Sequence, residues 1–262
     1  MELREIDSLA ELRACERVQL RVWGEGAPEV TVASFRAAIH AGALVAGAFE
    51  GETLLGFVYG FPSYVGGRVG QHSHLLAVVP EARGRGVGRA LKWFQRGWCL
   101  ERGITRVTWT FDPLQARNAN LNLEHLGATV REYLPDFYGP LGGALNGDLP
   151  SDRLLAEWPL DADHVAALAA GERRPAVSLP AAALTRDGAG DPLLHEVTGA
   201  DGVWDRVWLE LPPSVSPTTD FERALRWRLA LRAATQPLLD GGFQATRFVE
   251  GGYVLEKPSY RI

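Results

Sequence analysis

The run QHSHLLAVVPEARGRGVGRALKWF, from Gln71 to Phe94, constrains this chain more than any other stretch. It passes from a strand-like apolar segment, ended by Pro80, through a turn with glycines at 84, 86 and 88 into a helical pattern. Leu91, Phe94 and Trp98 recur at spacings of three and four, which puts them on one face of a helix from Gly88 to Arg102, with Gly103 as its C-terminal cap. ITRVTWTF then alternates, with Val107, Trp109 and Phe111 on one side and Arg106, Thr108 and Thr110 on the other. A strand, a helix and a strand in that order imply a parallel pair joined by a crossover. The fold class that follows is mixed α/β, a central mixed sheet with flanking helices.

The rest of the chain fits around this unit. ELREI reads as a first strand. Ser8 to Trp23 is an amphipathic helix with Ser8 as its N-cap and Glu11 three residues on. A loop with Gly24, Gly26 and Pro28 leads to a short helix, Thr31 to Ala41. ALVAGAF and TLLGFVYGF form a hairpin around Glu50, Gly51 and Glu52. ARNANLNLEHLG is a further helix closed by Gly127, and ATVREYLPDFYG and DRLLAEWPL are strands. Residues 161–190 shift to Ala, Pro, Gly and charge and read as a linker between a first domain, 1–160, and a smaller unit, 191–262. In that unit VWDRVWLELP is a strand, and Thr219 with Glu222 makes a capping box before FERALRWRLALRAA. Pro237 and Gly241–Gly242 end this helix, and ATRFVEGGYVLEK is a hairpin over Gly251–Gly252.

Composition narrows the function classes. The 262 residues carry a formal net charge of −5, and the arginines are scattered rather than blocked. That excludes the basic footprint of a nucleic-acid binder. Two cysteines, Cys15 and Cys99, make no disulfide framework and read as free thiols in a reducing compartment. MELREIDSLAEL lacks the apolar core of a signal peptide, and the longest apolar run, Ala41 to Phe49, is too short to span a bilayer. The expectation is a cytoplasmic protein with no membrane partner.

The glycine turn is tested against three phosphate-cradling patterns. A P-loop fails for want of its spacing and Gly–Lys–Ser/Thr end, and G-x-G-x-x-G fails in both registers, at Arg89 and at Leu91. Arg/Gln-x-x-Gly-x-Gly/Ala between a strand and a helix is satisfied by Arg83, Gly86 and Gly88. Glycines let the backbone approach a pyrophosphate, and a helix N-terminus offers unpaired N–H groups. Arg83, Arg85 and Arg89 add full positive charges.

In this context HLLAVVPEARGRGVGRAL, VTWTF and NLNLEHLGA resemble the GNAT superfamily of acyl-CoA-dependent N-acyltransferases, over residues 3–160. HSHLLAV, WTFDPLQARNANLNLEHLGA, YGPL and LPSDRLLAEW look like a bacterial subgroup of GNAT acetyltransferases. The resemblance implies acetyl-CoA or another acyl-CoA as co-substrate, with no metal. It implies pantetheine laid along Leu76, Ala77 and Val78, and pyrophosphate on the backbone of Arg83, Gly84, Arg85, Gly86, Val87, Gly88 and Arg89. It implies Asn118 as a partner of the pantetheine amides, where capping is the competing reading. The 191–262 unit resembles a degenerate GNAT lobe without a phosphate turn, a cover for the acceptor side or a homodimer contact.

His72, His74 and Leu76 alternate along one strand and are expected on one face. An amine must lose a proton before it attacks a thioester, and a histidine near its ordinary pKa can take it. Family members pair histidines on this strand or place a glutamate where His72 falls. Competing readings are an interior hydrogen-bonded histidine, or a metal pair completed by Asp112. The family's tyrosine general acid aligns with Leu123, so Tyr133 or Tyr138 stands in, or solvent does. Asp112 also reads as a turn starter, and Arg117 and Arg131 read as holders of a substrate carboxylate or as solvated surface. The acceptor expected is the amine of a small molecule or amino acid, with acetyl the first acyl group and succinyl a second. The alternative is a non-catalytic acyl-CoA-binding sensor or scaffold.

Overall fold

A computed structural model describes residues 1–25, 29–139, 148–196, 198–199, 202–213 and 218–258. Gly26, Pro28, Pro140 and Leu141 of the sequence reading lie outside them. The chain divides into two compact units, 1–109 with 158–169, and 110–157 with 170–262. These limits do not follow the cuts at 160 and 190 read from composition.

The first unit opens with β1 (Glu2–Glu5), α1 (Leu9–Trp23) and α2 (Val32–His40). Ser8 caps α1 by accepting the Glu11 N–H and donating its hydroxyl to the Glu11 carboxylate. Thr31 caps α2 through the Ser34 N–H. β2 (Leu44–Glu50), β3 (Thr53–Val65) and β4 (Arg68–Val78) follow, and α3 (Val87–Leu100) leads to β5 (Arg106–Phe111). The sheet order is β1-β2-β3-β4-β5. Every pairing is antiparallel except β4 with β5, which is parallel, as the strand–helix–strand pattern requires. Leu12, Cys15, Phe35, Leu44, Phe57, Val58, Leu91 and Val107 form its core.

The buried face of α3 is Val87, Leu91, Lys92, Gln95, Trp98 and Cys99. The stripe expected from sequence, Leu91, Phe94 and Trp98, is therefore rotated. Lys92 and Gln95 are drawn inward because the strand facing them presents Gln71 and Ser73, also buried. Polar groups on both sides satisfy one another, a pairing that an apolar periodicity count cannot register.

The second unit holds α4 (Ala116–Asn120), which runs into a π-helical turn at Leu121–His125, and then β6 (Thr129–Leu134) and β7 (Arg153–Pro159). A short helix, Asp163–Ala169, belongs to the first unit. The second unit continues with β8 (Ala182–Arg186), β9 (Pro192–Leu194), β10 (Thr198–Gly199), β11 (Gly202–Val203), β12 (Arg206–Glu210), the helix Phe221–Asp240, β13 (Gln244–Val249) and β14 (Gly252–Glu256). Its sheet order is β7-β6-β13-β14-β12-β8-β9.

Three local readings are corrected. Asp220, not Thr219, caps the long helix, its carboxylate accepting the Arg223 N–H at 3.1 Å. Pro237 lies inside that helix rather than ending it. The last hairpin turns at Glu250–Gly251, both at positive φ, and Gly252 already pairs with Val249. Two positive-φ residues suit the two-residue turn that matches strand twist.

Both cysteines are buried and free. No helix of the described residues is long and apolar enough to cross a membrane.

Candidate active site

β4 ends at Val78, and the Val79 N–H bonds to the Leu55 carbonyl at 2.9 Å. A single 3-10 turn, Pro80–Ala82, leads to Gly84 and Gly86, both at φ +78°. That left-handed conformation costs a side-chain-bearing residue about 1–2 kcal/mol. A Cβ at either glycine would meet nothing within 4 Å. The dihedrals therefore demand glycine, and the space above the turn is open. Gly86 is the N-cap of α3 and no side chain caps the helix. Its first N–H groups are free to meet an anion.

Arg83, Gly84, Arg85, Gly86 and Arg89 are exposed, Gly88 is half-buried and Val87 is buried. The Arg83 Nε reaches the Val78 carbonyl at 3.4 Å, and Arg85 pairs with Glu50 at 2.6 Å. Arg89 has no side-chain partner among the described residues. The turn is thus fit for a pyrophosphate, with one cation free and two held by weak or exposed contacts.

The parallel ladder between β4 and β5 covers Gln71–Val107 and His72–Thr108. Among the described registers it does not reach Leu75 to Val78. That edge of β4 keeps backbone N–H and C=O groups that an extended amide chain can pair with, as a further strand would.

His74 interrupts the strand. Tyr59 pairs with Leu75 and Gly60 with Ser73, so His74 has no partner across the β3–β4 ladder. A bulge of this kind resets the alternation of faces. Leu76 pairs with Val58, and its Cδ2 would lie 3.7 Å from a Cβ on Gly88, on the α3 side of the sheet. The expectation that His72, His74 and Leu76 share one face fails at Leu76 for this reason.

The two imidazoles stay together on the opposite face. Their ring centroids are 6.3 Å apart. Phe61 lies 5.3 Å from His72 and 5.7 Å from His74, and Tyr59 lies 5.9 Å from His74. The His72 Nδ1 is 3.4 Å from the Thr108 hydroxyl. Burial, then His74, then Lys92 pull the His72 pKa down to about 4. Burial among the same rings lowers that of His74, although one side of its ring reaches solvent. Both rings are neutral at pH 7, each with a lone pair to accept a proton or hydrogen bond.

Beneath β4, on the α3 side, lies a polar network that sequence reading missed. The Lys92 ammonium, 2 % exposed, donates to the Gln95 Oε1 at 2.7 Å and the Ser73 hydroxyl at 3.1 Å. It sits 3.9 Å from the Trp109 ring centroid and 5.2 Å from that of Trp158. The Gln95 amide donates to the Gln71 Oε1 at 2.6 Å, and the Cys99 thiol approaches that same oxygen at 3.4 Å. Burial pulls the Lys92 pKa down to about 7 and pushes that of Cys99 up to about 12. Cys99 is an inert, protonated core thiol.

The remaining candidates lie in the second unit. Tyr138 is 43 % exposed and its hydroxyl is 2.9 Å from the Thr110 hydroxyl. Tyr133 is buried and donates to the Asp152 Oδ2 at 2.6 Å, and burial raises its pKa well above the phenol range. Leu123 is fully buried in the π-helical turn. Asn118 is exposed within α4, whose N-cap is Gln115, so it does not cap the helix. Asp112 does start a turn, accepting the Leu114 N–H, and it is gripped on both oxygens by Arg228 at 2.7 and 3.0 Å. That pairing speaks against Asp112 as a metal ligand. Arg117 is exposed, and Arg131 donates to Gln244 at 3.0 Å.

Residues 6–127 match the model of the Acetyltransferase (GNAT) family. No curated protein matches the chain. Among solved structures, the ribosomal-protein-S18-alanine N-acetyltransferase from Escherichia coli aligns at 16% identity and TM-score 0.50, over 62% of this chain and 94% of that one. An aminoglycoside 6'-acetyltransferase type Ii aligns at 18% and 0.49, over 62% and 99%. An aminoglycoside 6'-N-acetyltransferase complexed with coenzyme A aligns at 15% and 0.48, over 62% and 98%. At these identities the first of the three supports a shared fold.

Proposed function

From a GNAT acetyltransferase domain at residues 6–127, we propose that this chain is an N-acyltransferase moving an acyl group, acetyl first and succinyl second, from acyl-CoA to the amine of a small molecule or amino acid. The observation that carries the reading is the uncapped, glycine-built start of α3 directly after a β4 edge with open backbone groups. Acyl-CoA supplies the activated thioester carbonyl. The N–H groups of Gly86 to Arg89 and the Arg89 guanidinium hold its pyrophosphate, and the Leu76–Val78 edge orients its amide arm. Asn118, exposed on α4, is a further candidate partner for those amides.

His72 is the proposed base, acting directly or through a water with His74 beside it. With its pKa near 4 rather than near the ordinary histidine value expected from sequence, the ring does not deprotonate an ammonium; the amine binds in its neutral form, and His72 takes the proton as the N–C bond forms, when the nitrogen becomes strongly acidic. Backbone N–H of the Ala77–Val78 segment is the proposed donor to the developing oxyanion. Tyr138, the exposed phenol, is the candidate proton source for the departing thiolate. Leu123 in the usual tyrosine position favours the second reading, a non-catalytic acyl-CoA-binding protein.

Thermal-shift titration with coenzyme A, acetyl-CoA, succinyl-CoA and NAD tests the site. A ligand at 100 times its Kd stabilises the native state by about 2.7 kcal/mol, so a CoA ester is expected to raise Tm and NAD is not. His72→Gln separates the two functions. In an enzyme kcat falls roughly 10²- to 10⁴-fold with CoA affinity unchanged. No response to any CoA species would remove the basis of the proposal.

A further inference from the structure

The base proposed for the transfer, His72, stands in a wall of rings. The centroids of Phe61, His72 and His74 are 5.3, 5.7 and 6.3 Å apart, pair by pair. Behind them Tyr59 lies 5.8 Å from Phe61 and 5.9 Å from His74, and it packs edge-on to the fully buried Phe35 at 5.0 Å. Phe61 and His72 are half-buried and His74 is exposed, so the wall is open to a ligand. Every one of these residues belongs to the first unit.

Among the described residues, no negative charge acts on this wall. The charged groups that act on His72 are His74 and Lys92, and burial alone shifts His74. No third His, Cys, Asp or Glu of the described residues groups with the two imidazoles. The polar partner of His72 is the Thr108 hydroxyl. A strongly basic amine arrives at pH 7 as an ammonium and would meet no carboxylate of the described residues here. Stripping water from an unpaired charge is costly, and the Lys92 ammonium, when protonated, repels a second cation. Phe61 is a single phenyl face, and Trp is the ring that holds a cation best.

A weakly basic amine arrives neutral and escapes that cost. When its nitrogen is carried on an aromatic ring, that ring also gains offset or edge contacts with Phe61 and the imidazoles. The reaction favours the same class. As the nitrogen bonds to the thioester carbonyl carbon, the C–S bond breaks, and the amine proton passes to His72 and on to solvent or the departing thiolate. The products are an N-aryl amide and the CoA thiol. Attachment to an aromatic ring makes that proton more acidic than in an alkylamine, which suits a base as weak as His72. We propose that the acceptor is an arylamine, a weakly basic amine that binds uncharged against the rings of Phe61, His72 and His74. This rests on the acyltransferase reading for the transfer, and on the ring wall for the choice of amine.

The test follows release of the CoA thiol by the full chain with acetyl-CoA and aniline, benzylamine or cyclohexylamine. Benzylamine keeps the ring and restores strong basicity, and cyclohexylamine loses the aromatic face as well. At pH 7 aniline is expected to show a kcat/KM at least about tenfold above both, since only it arrives without a charge to desolvate. Between about pH 6.5 and 8.5 the two alkylamines are expected to gain about tenfold per pH unit as their neutral fraction rises, while aniline stays level. Phe61→Leu is expected to raise the KM for aniline roughly two- to tenfold, the loss of one ring contact, with acetyl-CoA affinity unchanged. The wild-type series stands without that variant.

Benzylamine or cyclohexylamine acylated better than aniline at pH 7, or no turnover of aniline, would overturn the proposal. So would alkylamine rates that stay level across the pH range, the mark of an ammonium held and deprotonated in the site, or an aniline KM unmoved in a folded Phe61→Leu. The acyltransferase reading fails separately. If acetyl-CoA raises no Tm, that reading falls and this inference falls with it. If acetyl-CoA binds and benzylamine is the preferred amine, the reading stands and this inference alone falls.

Discussion

Burial favours the neutral form of three side chains of the first unit, His72, His74 and Lys92, and His72 and Lys92 leave the clearest pH signatures. His72 has a folded pKa of about 4 against an ordinary value near 6.5. Between those values the unfolded chain binds more protons, so this group's stabilising contribution is complete above pH 6.5 and is lost as pH falls toward 4. The loss is at most about 3 kcal/mol. His72→Asn is expected to flatten the Tm profile across this window, with a residual slope from His74, and an unchanged slope would mean the ring is solvated. Lys92 follows the same rule higher up. Its folded pKa of about 7 lies below the ordinary 10.4, so the wild type gains stability relative to Lys92→Met as pH rises from 7 to 10. Parallel profiles would mean that the ammonium is not desolvated. The two residues differ in legibility. His72 stood out as half of an H-x-H pair, whereas Lys92 was hidden because a lysine on an amphipathic helix reads as its solvated face. Its partners Ser73 and Gln95 are invisible to a count of apolar spacing.

At the scale of elements, the strand–turn–helix was readable because each part has a local cause. Pro80 ends a strand, glycine permits positive φ, and α3 shows its period. The bulge at His74 was not readable, because an extra residue in one strand leaves an unbroken apolar and polar pattern while the ladder shifts. One misplaced residue sent Leu76 to the wrong face. The turn itself yields a prediction. Gly84 and Gly86 hold φ +78° with open space above. Gly86→Ala is expected to cost about 1–2 kcal/mol of stability from the left-handed backbone alone. It is expected to weaken acetyl-CoA far more, at least about tenfold, because a methyl group enters the path of a closely approaching pyrophosphate. Calorimetric titration against a Tm measurement separates the effects. An affinity that falls no further than the stability change accounts for would place the phosphates elsewhere.

The second unit is organised by pairs that lie far apart in sequence. Asp112–Arg228, Asp152–Arg232 and Glu124–Arg247 join residues 116, 80 and 123 positions apart. The Tyr253 hydroxyl donates to the Pro113 carbonyl at 2.7 Å, and β13 pairs with β6. Composition marked residues 161–190 as a break, yet the second unit draws on both sides of it, and β8 lies within it. No local pattern records which arginine will meet which aspartate, so this architecture was out of reach of sequence reading. It makes a firm prediction about truncation. A fragment ending at residue 190 keeps Asp112, Glu124 and Asp152 and loses all three arginines. Breaking one buried pair costs about 3–5 kcal/mol, and a whole domain has about 5–15 kcal/mol to lose. Residues 1–190 are therefore expected to be insoluble, or soluble without a cooperative melt, when followed by circular dichroism beside the full chain. The single change Asp152→Asn in the full chain is expected to lower Tm by several degrees while leaving the fold recognisable, because Arg232 and the Tyr133 hydroxyl lose their shared charge. A 1–190 fragment that melts cooperatively with the full chain's helix and strand signal would mean that residues 110–157 fold without the C-terminal strands, and the domain cut read from composition would then be the better description.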